Sequence, residues 1–303
     1  VHRSVSVVFD GPATPGLTLS PLRRGRGDPC YHDAEDGAIW RTSLMRSGPV
    51  TARLQKSAVD TVDCEAWGTG ATEFVDALPD LLGVHDNATG FAPSEPTIAA
   101  AHRRVPHLRL GRTGRVLEAL VPAILEQRVY GKDARRAWRA LVTKFGAPAP
   151  GPAPEHMRVP PPADGWRRIP SWEFHRANVD PGRARTIVGC AQRADSLERL
   201  TTRVPEDARA AMMSLPGIGI WTAAETAQRA FGDADALSIG DFHLAKMVGW
   251  RLLGRPIDDA AMETLLEPLR PHRHRAVRLL EVTGPAHAPR RAPRQAIPRL
   301  RAM

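Results

Sequence analysis

The chain has 303 residues, 42% of them hydrophobic, which is enough for two domains with a sizeable core. Its formal net charge of +9 and pI near 10.4 suit a polyanionic partner. No segment approaches an apolar membrane span and no signal peptide is recognised. Cys30, Cys64 and Cys190 are odd in number, widely spaced and without a CxxC pair, so a disulfide framework or metal knuckle is not expected. Buried thiols in a reducing cytoplasm are the expectation.

In chain order, residues 1–66 read as strands: Val5, Val7 and Phe9 alternate, 38–41 is a short strand, and 50–54 and 59–64 alternate again between turn-rich spacers. Residues 68–82 turn helical, with Phe74, Leu78 and Leu81 at suitable spacing. This predicts an antiparallel β-rich domain over 1–105, with a polar, proline-containing connection at 84–108. A helical domain follows over 106–285. Its first helix spans 113–128, Val116, Leu117, Leu120, Val121, Ile124 and Leu125 inward and Pro122 introducing a kink. The second spans 131–145 with an Ala134, Trp138, Leu141, Phe145 stripe and Gly146 as its stop. The proline-rich stretch 147–164 reads as a mobile surface loop. Ser171 is expected to cap a short helix, and Asp180 with Pro181 to start another running to about residue 194. The tail 286–303 holds five arginines, three prolines and no acid, and is expected to be disordered, so its charge says little about function.

The most informative stretch is 205–250, PEDARAAMMSLPGIGIWTAAETAQRAFGDADALSIGDFHLAKMVGW. Pro205, Glu206 and Asp207 suit a first helical turn, and that helix should end near Ser214. Leu215, Pro216, Gly217, Ile218 and Gly219 then form a hairpin, with Ile220 opening a helix to about Ala230. Such a turn leaves N–H groups unpaired at a helix entry, a seat for phosphate; an ordinary helix-turn-helix connection is the alternative. Small side chains at Ala223, Ala224 and Ala227 let two helices approach, with Ile218 plugging the gap. Asp241 precedes an apolar helical run (Phe242, Leu244, Ala245, Val248), where an aspartate is ordinarily an N-cap.

Hairpin, helix, loop and then aspartate at a helix start, in LPGIGIWTA and IGDFHLAK, resembles the HhH-GPD superfamily of DNA glycosylases, in particular its 3-methyladenine DNA glycosylase II or AlkA-like branch. Motifs carry the resemblance over about residues 110–282, and general architecture over 1–100. It implies an α+β fold, a mainly α-helical HhH-GPD domain preceded by a small antiparallel sheet-plus-helix domain. It further implies a monofunctional glycosylase that flips alkylated purines out of double-stranded DNA and hydrolyses the N-glycosidic bond, leaving an abasic site. In that reading Asp241 stabilises the oxocarbenium-like sugar or orients water, and Gly217, Ile218, Gly219 and Thr222 grip phosphates. Trp221 stacks a cationic base. Bifunctional relatives carry a lysine where Trp221 stands, so no lyase activity is expected; Lys246 is taken as solvated or phosphate-contacting.

The segment AILEQRVYGKDA resembles the site of the wedge that fills the gap left by the flipped nucleotide. Either Val129 or Tyr130 would be the wedge, and Gln127 a pocket or backbone contact. Trp172 is either a structural aromatic or part of the base pocket. Two positions depart from the AlkA pattern: Glu225, which would face the base or be a surface acid, and His272, aligned with a tryptophan of the last helix. No cofactor and no iron–sulfur cluster is expected, and no metal held by side chains. A sodium or potassium ion among the main-chain carbonyls of Leu215 and Ile218 is implied. The expected protein is monomeric, cytoplasmic and nucleoid-associated, with no membrane partner. The rival readings are a non-catalytic helix-hairpin-helix DNA-binding protein and a glycosylase for another damaged base.

Overall fold

A computed structural model describes residues 1–284; the basic tail lies outside the described residues. Strands β1 (His2–Val8), β2 (Tyr31–Asp33), β3 (Ile39–Met45), β4 (Gly48–Lys56) and β5 (Thr61–Trp67) form one antiparallel sheet in the order β1-β5-β4-β3-β2. Period-two alternation sets its register: Leu54 lies opposite Cys64 and Ala52 opposite Ala66, all four buried on one face. Against that face pack α2 (Ala71–Asp76) and α3 (Leu78–Leu81), through Phe74 and Leu78. A short α1 (Pro15–Leu19) follows β1. Strand β3 is longer than the 38–41 read from sequence because Arg41, Thr42 and Ser43 are buried polar residues with partners. Thr42 Oγ1 donates to the Arg158 carbonyl (2.6 Å), and Arg41 pairs with Glu118.

The rest is helical: α4 (Pro96–Arg104), α5 (Val116–Leu125), α6 (Gly131–Phe145), α7 (Ala163–Arg168), α8 (Ser171–Arg176), α9 (Pro181–Ala191), α10 (Ala194–Glu198), α11 (Pro205–Met213), α12 (Ile220–Ala230), α13 (Leu244–Leu253), α14 (Asp259–Leu266) and α15 (Arg273–Thr283). Helix α5 is buried nearly all round, as its apolar VLEALVPAIL predicts, and is the axis on which α6, α9 and α12 pack. A second apolar cluster joins α4 to α13, α14 and α15 through Ile98, Met247, Met262 and Leu280. The chain crosses between the clusters in the loop from α12 to α13, and that loop carries Asp241.

Three sequence expectations change. The 84–108 connection contains α4, which Glu95 caps by accepting the Ile98 N–H (2.7 Å) with Pro96 opening the first turn. Its alanines left the amphipathic signal weak. The proline-rich stretch is docked rather than loose: β6 (Ala147–Pro148) pairs with β7 (Arg158–Val159), the Arg158 N–H donates to the Pro29 carbonyl (2.7 Å), and Met157 and Val159 are buried. Ser171 makes no capping bond, since Pro170 holds the cap position of α8. By contrast α6, α11 and α12 fall where their capping and turn residues put them.

Candidate active site

Gly217 alone of the two hairpin glycines is left-handed, at φ 85°, and a Cβ there would meet Thr186 Oγ1 at 2.2 Å. Gly219 is extended (φ −97°, ψ 179°) with nothing within 4 Å of a virtual Cβ. A side chain there would meet open space, so the fold does not require glycine at this position. Ile218 is buried in the main core, whereas Pro216, Gly217, Gly219 and Ile220 face solvent. Across the turn the Leu215 carbonyl accepts the Ile218 N–H (3.1 Å). Thr222 is not on the exposed face: it is buried, because its hydroxyl accepts a hydrogen bond from Gln127 Nε2 (2.8 Å).

The same Nε2 donates to the Gly217 carbonyl (2.9 Å), so Gln127 is a clasp between the end of α5 and the hairpin. It does not line the cavity described below. Arg183 holds the last turn of α5 by donating to the Leu125 carbonyl (2.6 Å). The next turn is tipped by Arg128, exposed and left-handed at φ 52°. Val129 and Tyr130, the two residues singled out from sequence, are half-buried beside it.

Asp241 accepts three N–H groups. Oδ1 takes the backbone amides of His243 (2.7 Å) and Leu244 (2.9 Å), an N-cap geometry, and Oδ2 takes the Trp221 indole (3.2 Å). Both oxygens of the carboxylate are thus engaged by N–H donors. Phe242 beside it is exposed, with Lys246 Nζ 3.9 Å from its ring centroid.

Asp241 borders a cavity of about 310 Å³ walled by Leu17, Thr18, Pro21 and Leu22 of the N-terminal segment, Arg109 to Gly111, one face of α12, the start of α13 and α15. Glu225 lines it but is neither free nor on the surface: Arg229 Nη1 donates to its Oε2 (2.8 Å) and Ser238 Oγ to its Oε1. Burial opposes ionisation of Glu225, yet Arg229, the Ser238 hydroxyl and Arg24 outweigh it and hold the carboxyl below its ordinary pKa.

His272 is not in the cavity. It precedes α15, with its Nε2 3.1 Å from the Thr89 carbonyl and its ring edge-on to Phe91. The histidine that α15 turns inward is His274, in phase with Val277, Arg278 and Glu281 at i, i+3, i+4 and i+7. That periodicity is present in the sequence, and the helix begins at Arg273, past His272. Trp172 is 61% exposed on α8 and does not line the cavity. Leu17, Thr18, Pro21 and Leu22 carried no sequence signal, because their place on the wall is a tertiary fact. All three cysteines are buried free thiols, and burial pushes Cys64 up to about 12 and Cys190 to about 11. Among the described residues no group of three or more His, Cys, Asp or Glu could hold a metal ion, and no helix is long and apolar enough to cross a membrane.

No protein-family model matches the chain. It is 31% identical over 199 residues to the probable bifunctional transcriptional activator/DNA repair enzyme AlkA of Mycobacterium tuberculosis, covering 63% of this chain and 38% of that protein. The chain thus spans well under half the length of the curated relatives it matches. Among solved structures, a 3-methyladenine DNA glycosylase from Archaeoglobus fulgidus superposes with a TM-score of 0.77 at 17% identity, over 91% of this chain and 97% of that one. An 8-oxoguanine glycosylase/lyase from Clostridium acetobutylicum gives 0.72 at 13% identity, over 95% and 98%. The chain shares the fold of these two glycosylase structures. Over those 199 residues, which include LPGIGIWTA and IGDFHLAK, the sequence is similar to AlkA.

Proposed function

We propose that this chain is a DNA glycosylase of base excision repair that rotates a damaged purine out of duplex DNA and hydrolyses its N-glycosidic bond, leaving an abasic site. The observation that carries the reading is Asp241, held by two helix-start amides and the Trp221 indole on the wall of a base-sized cavity. Extrusion of a nucleotide costs roughly a few kcal/mol, less for a damaged pair. The exposed hairpin edge offers backbone N–H groups to phosphates, and Arg128, at the tip of the neighbouring turn, is the side chain we assign to the vacated gap in place of Val129 or Tyr130. A sodium or potassium ion at the Leu215 and Ile218 carbonyls would add positive charge beneath the phosphates.

As the glycosidic bond breaks, cationic character on the sugar is stabilised by the Asp241 carboxylate, which also orients the attacking water. Trp221 offers no amine for a Schiff base, which supports hydrolysis without strand cleavage. Similarity to AlkA favours an alkylated purine as the base. The cavity lining favours a second reading of the substrate, since no Trp, Tyr or Phe is part of it.

The test is base release from methylated, deaminated and oxidised duplexes by the wild type and Asp241→Asn, with DNA affinity recorded alongside. We expect the wild type to release a base and leave unnicked abasic sites, and the variant to bind equally while release falls by at least about 100-fold. Binding without release from any substrate would leave a helix-hairpin-helix DNA-binding protein as the better account.

A further inference from the structure

The loop RRGRGD, residues 23–28, is built against α6, and the two together carry cations that no acid answers. Asp28 is buried and ties the loop down: its carboxylate accepts the backbone amides of Arg24 (2.7 Å) and Cys30 (2.9 Å) and the Trp138 indole of α6 (2.9 Å). Gly25 and Gly27 are both left-handed, at φ 81° and 74°, and lie close on α6. A Cβ on the first would overlap the Arg135 side chain, and one on the second would stand 2.9 Å from the Arg139 guanidinium carbon. The Arg139 guanidinium donates in turn to the Arg26 carbonyl. Lys132, Arg135 and Arg139 share one face of α6, and Arg26 of the loop sits beside it.

We infer that this face, formed jointly by the sheet domain and α6, is a second phosphate-binding surface, holding the backbone of duplex DNA on the side of Arg128 away from the hairpin. The inference rests on the DNA-binding part of the proposed function. It gives the N-terminal domain a contact with DNA that is separate from the hairpin and from the cavity.

Three observations carry it. The first is unanswered charge. Arg26, Lys132 and Arg139 are exposed, Arg135 is half-buried, and none of the four has an ion pair among the described residues. The one acid of α6, Asp133, is bonded to Arg136 (3.4 Å). Arginines that serve the fold elsewhere on this surface find a carboxylate, as Arg112 does with Asp80 and Arg270 with Asp235.

The second is order. Arg135 is packed under Gly25, and Arg139 is held by Gly27 and the Arg26 carbonyl, so both guanidinium groups are placed before a ligand arrives. A planar guanidinium fixed in this way loses little further freedom when it takes up a phosphate.

The third is position. Arg24, in the same loop, pairs with Glu126 at the end of α5 (3.4 Å), while the next residue, Gln127, clasps the hairpin. The Arg128 turn therefore stands between the hairpin and the loop. A duplex that takes Arg128 into its gap meets phosphate donors on both sides, and such backbone contacts position the duplex without reading its sequence.

The experiment is binding of an undamaged and an abasic-site duplex across a salt series. The proteins are the wild type, Arg26→Gln, Arg26→Lys, Arg135→Gln and, as a control for net charge, Arg103→Gln at an exposed position of α4. We expect Arg26→Gln to weaken both duplexes alike, about 3- to 10-fold near 0.1 M salt, and to lower the slope of log affinity against log salt by about one. Arg135→Gln should lower the slope similarly, whereas Arg26→Lys and Arg103→Gln should keep it, with melting temperatures unchanged for the two Arg26 variants. Slopes for Arg26→Gln and Arg135→Gln equal to that of Arg103→Gln overturn the inference and leave the glycosylase reading standing. A wild type that binds neither duplex overturns both. If no lesion is released by any of the proteins while the slope changes hold, the surface stands and the glycosylase reading falls.

Discussion

At the scale of single residues, the site depends on side chains with two partners. Asp241 caps a helix and meets an indole, and Gln127 bridges the Gly217 carbonyl and the Thr222 hydroxyl. Such residues serve the fold through one partner and face the candidate site through the other, which is why an N-cap aspartate and a reactive aspartate cannot be told apart by sequence alone. Arg128 is the contrasting case, exposed and held only by its backbone turn. If it fills the gap in the duplex, Arg128→Ala should lower affinity for an abasic-site duplex roughly tenfold, as loss of a stacking guanidinium does, while the melting temperature stays unchanged. Val129→Ala should change affinity little. Titration of both variants with a fluorescent duplex decides between them.

At the scale of elements, the hairpin separates folding from binding in its two glycines. Gly217→Ala forces a left-handed alanine against Thr186 Oγ1 and should cost about 1 to 3 kcal/mol, read as a fall in the urea midpoint. Gly219→Ala adds a methyl group to open space at an extended backbone, so stability should hold. Its DNA affinity should nevertheless fall, because the methyl group would stand where a phosphate approaches. Equal loss of stability in the two variants would remove the distinction. Helix α15 shows the same economy: His272 anchors its start against the 84–95 segment, while the face two residues later lines the cavity.

At the scale of the whole molecule, the sheet and the helices are joined by buried charge. Glu118 of α5 lies between Arg41 of β3 and Arg115, and the Trp138 indole donates to Asp28 (2.9 Å) across the same junction. Burial opposes ionisation of Glu118, but Arg115 and Arg41 outweigh it and hold its pKa below the ordinary glutamate value. A carboxyl depressed on folding contributes stability that is complete above its unfolded pKa and is lost as pH falls through the folded one. Stability should therefore decline below about pH 4 partly through this group, and Glu118→Ala should cost about 3 kcal/mol at neutral pH by stranding Arg41. Denaturant melts of wild type and variant at pH 7 and pH 3.5 measure both effects; a variant whose deficit does not shrink in acid would remove Glu118 from the acid response. The N-terminal segment does more than stand in front, because Leu17, Thr18, Pro21 and Leu22 wall the cavity and Arg229 donates to the Pro21 carbonyl (3.0 Å).

Sequence by itself determined the features that local physics dictates. Proline and acids placed the start of α11, Pro216 and Gly217 placed the hairpin, and Ile220 to Ala230 is helical as read. Alternation supplied β1, β4 and β5 but not the short β2, β6 and β7, and an aspartate before an apolar run supplied a residue that borders the cavity. The tertiary structure decided which way side chains point once elements meet. It hid Thr222 under Gln127, tied Glu225 to Arg229 and Ser238, exchanged His272 for His274, and brought Leu17, Thr18, Pro21 and Leu22 against α12 and α15. Those outcomes depend on packing between residues more than 200 positions apart, such as Pro21 and Arg229. No local period or spacing encodes such contacts, and the register of one helix on another, a matter of about 100° per residue, determines whether a side chain lines a cavity or anchors a loop.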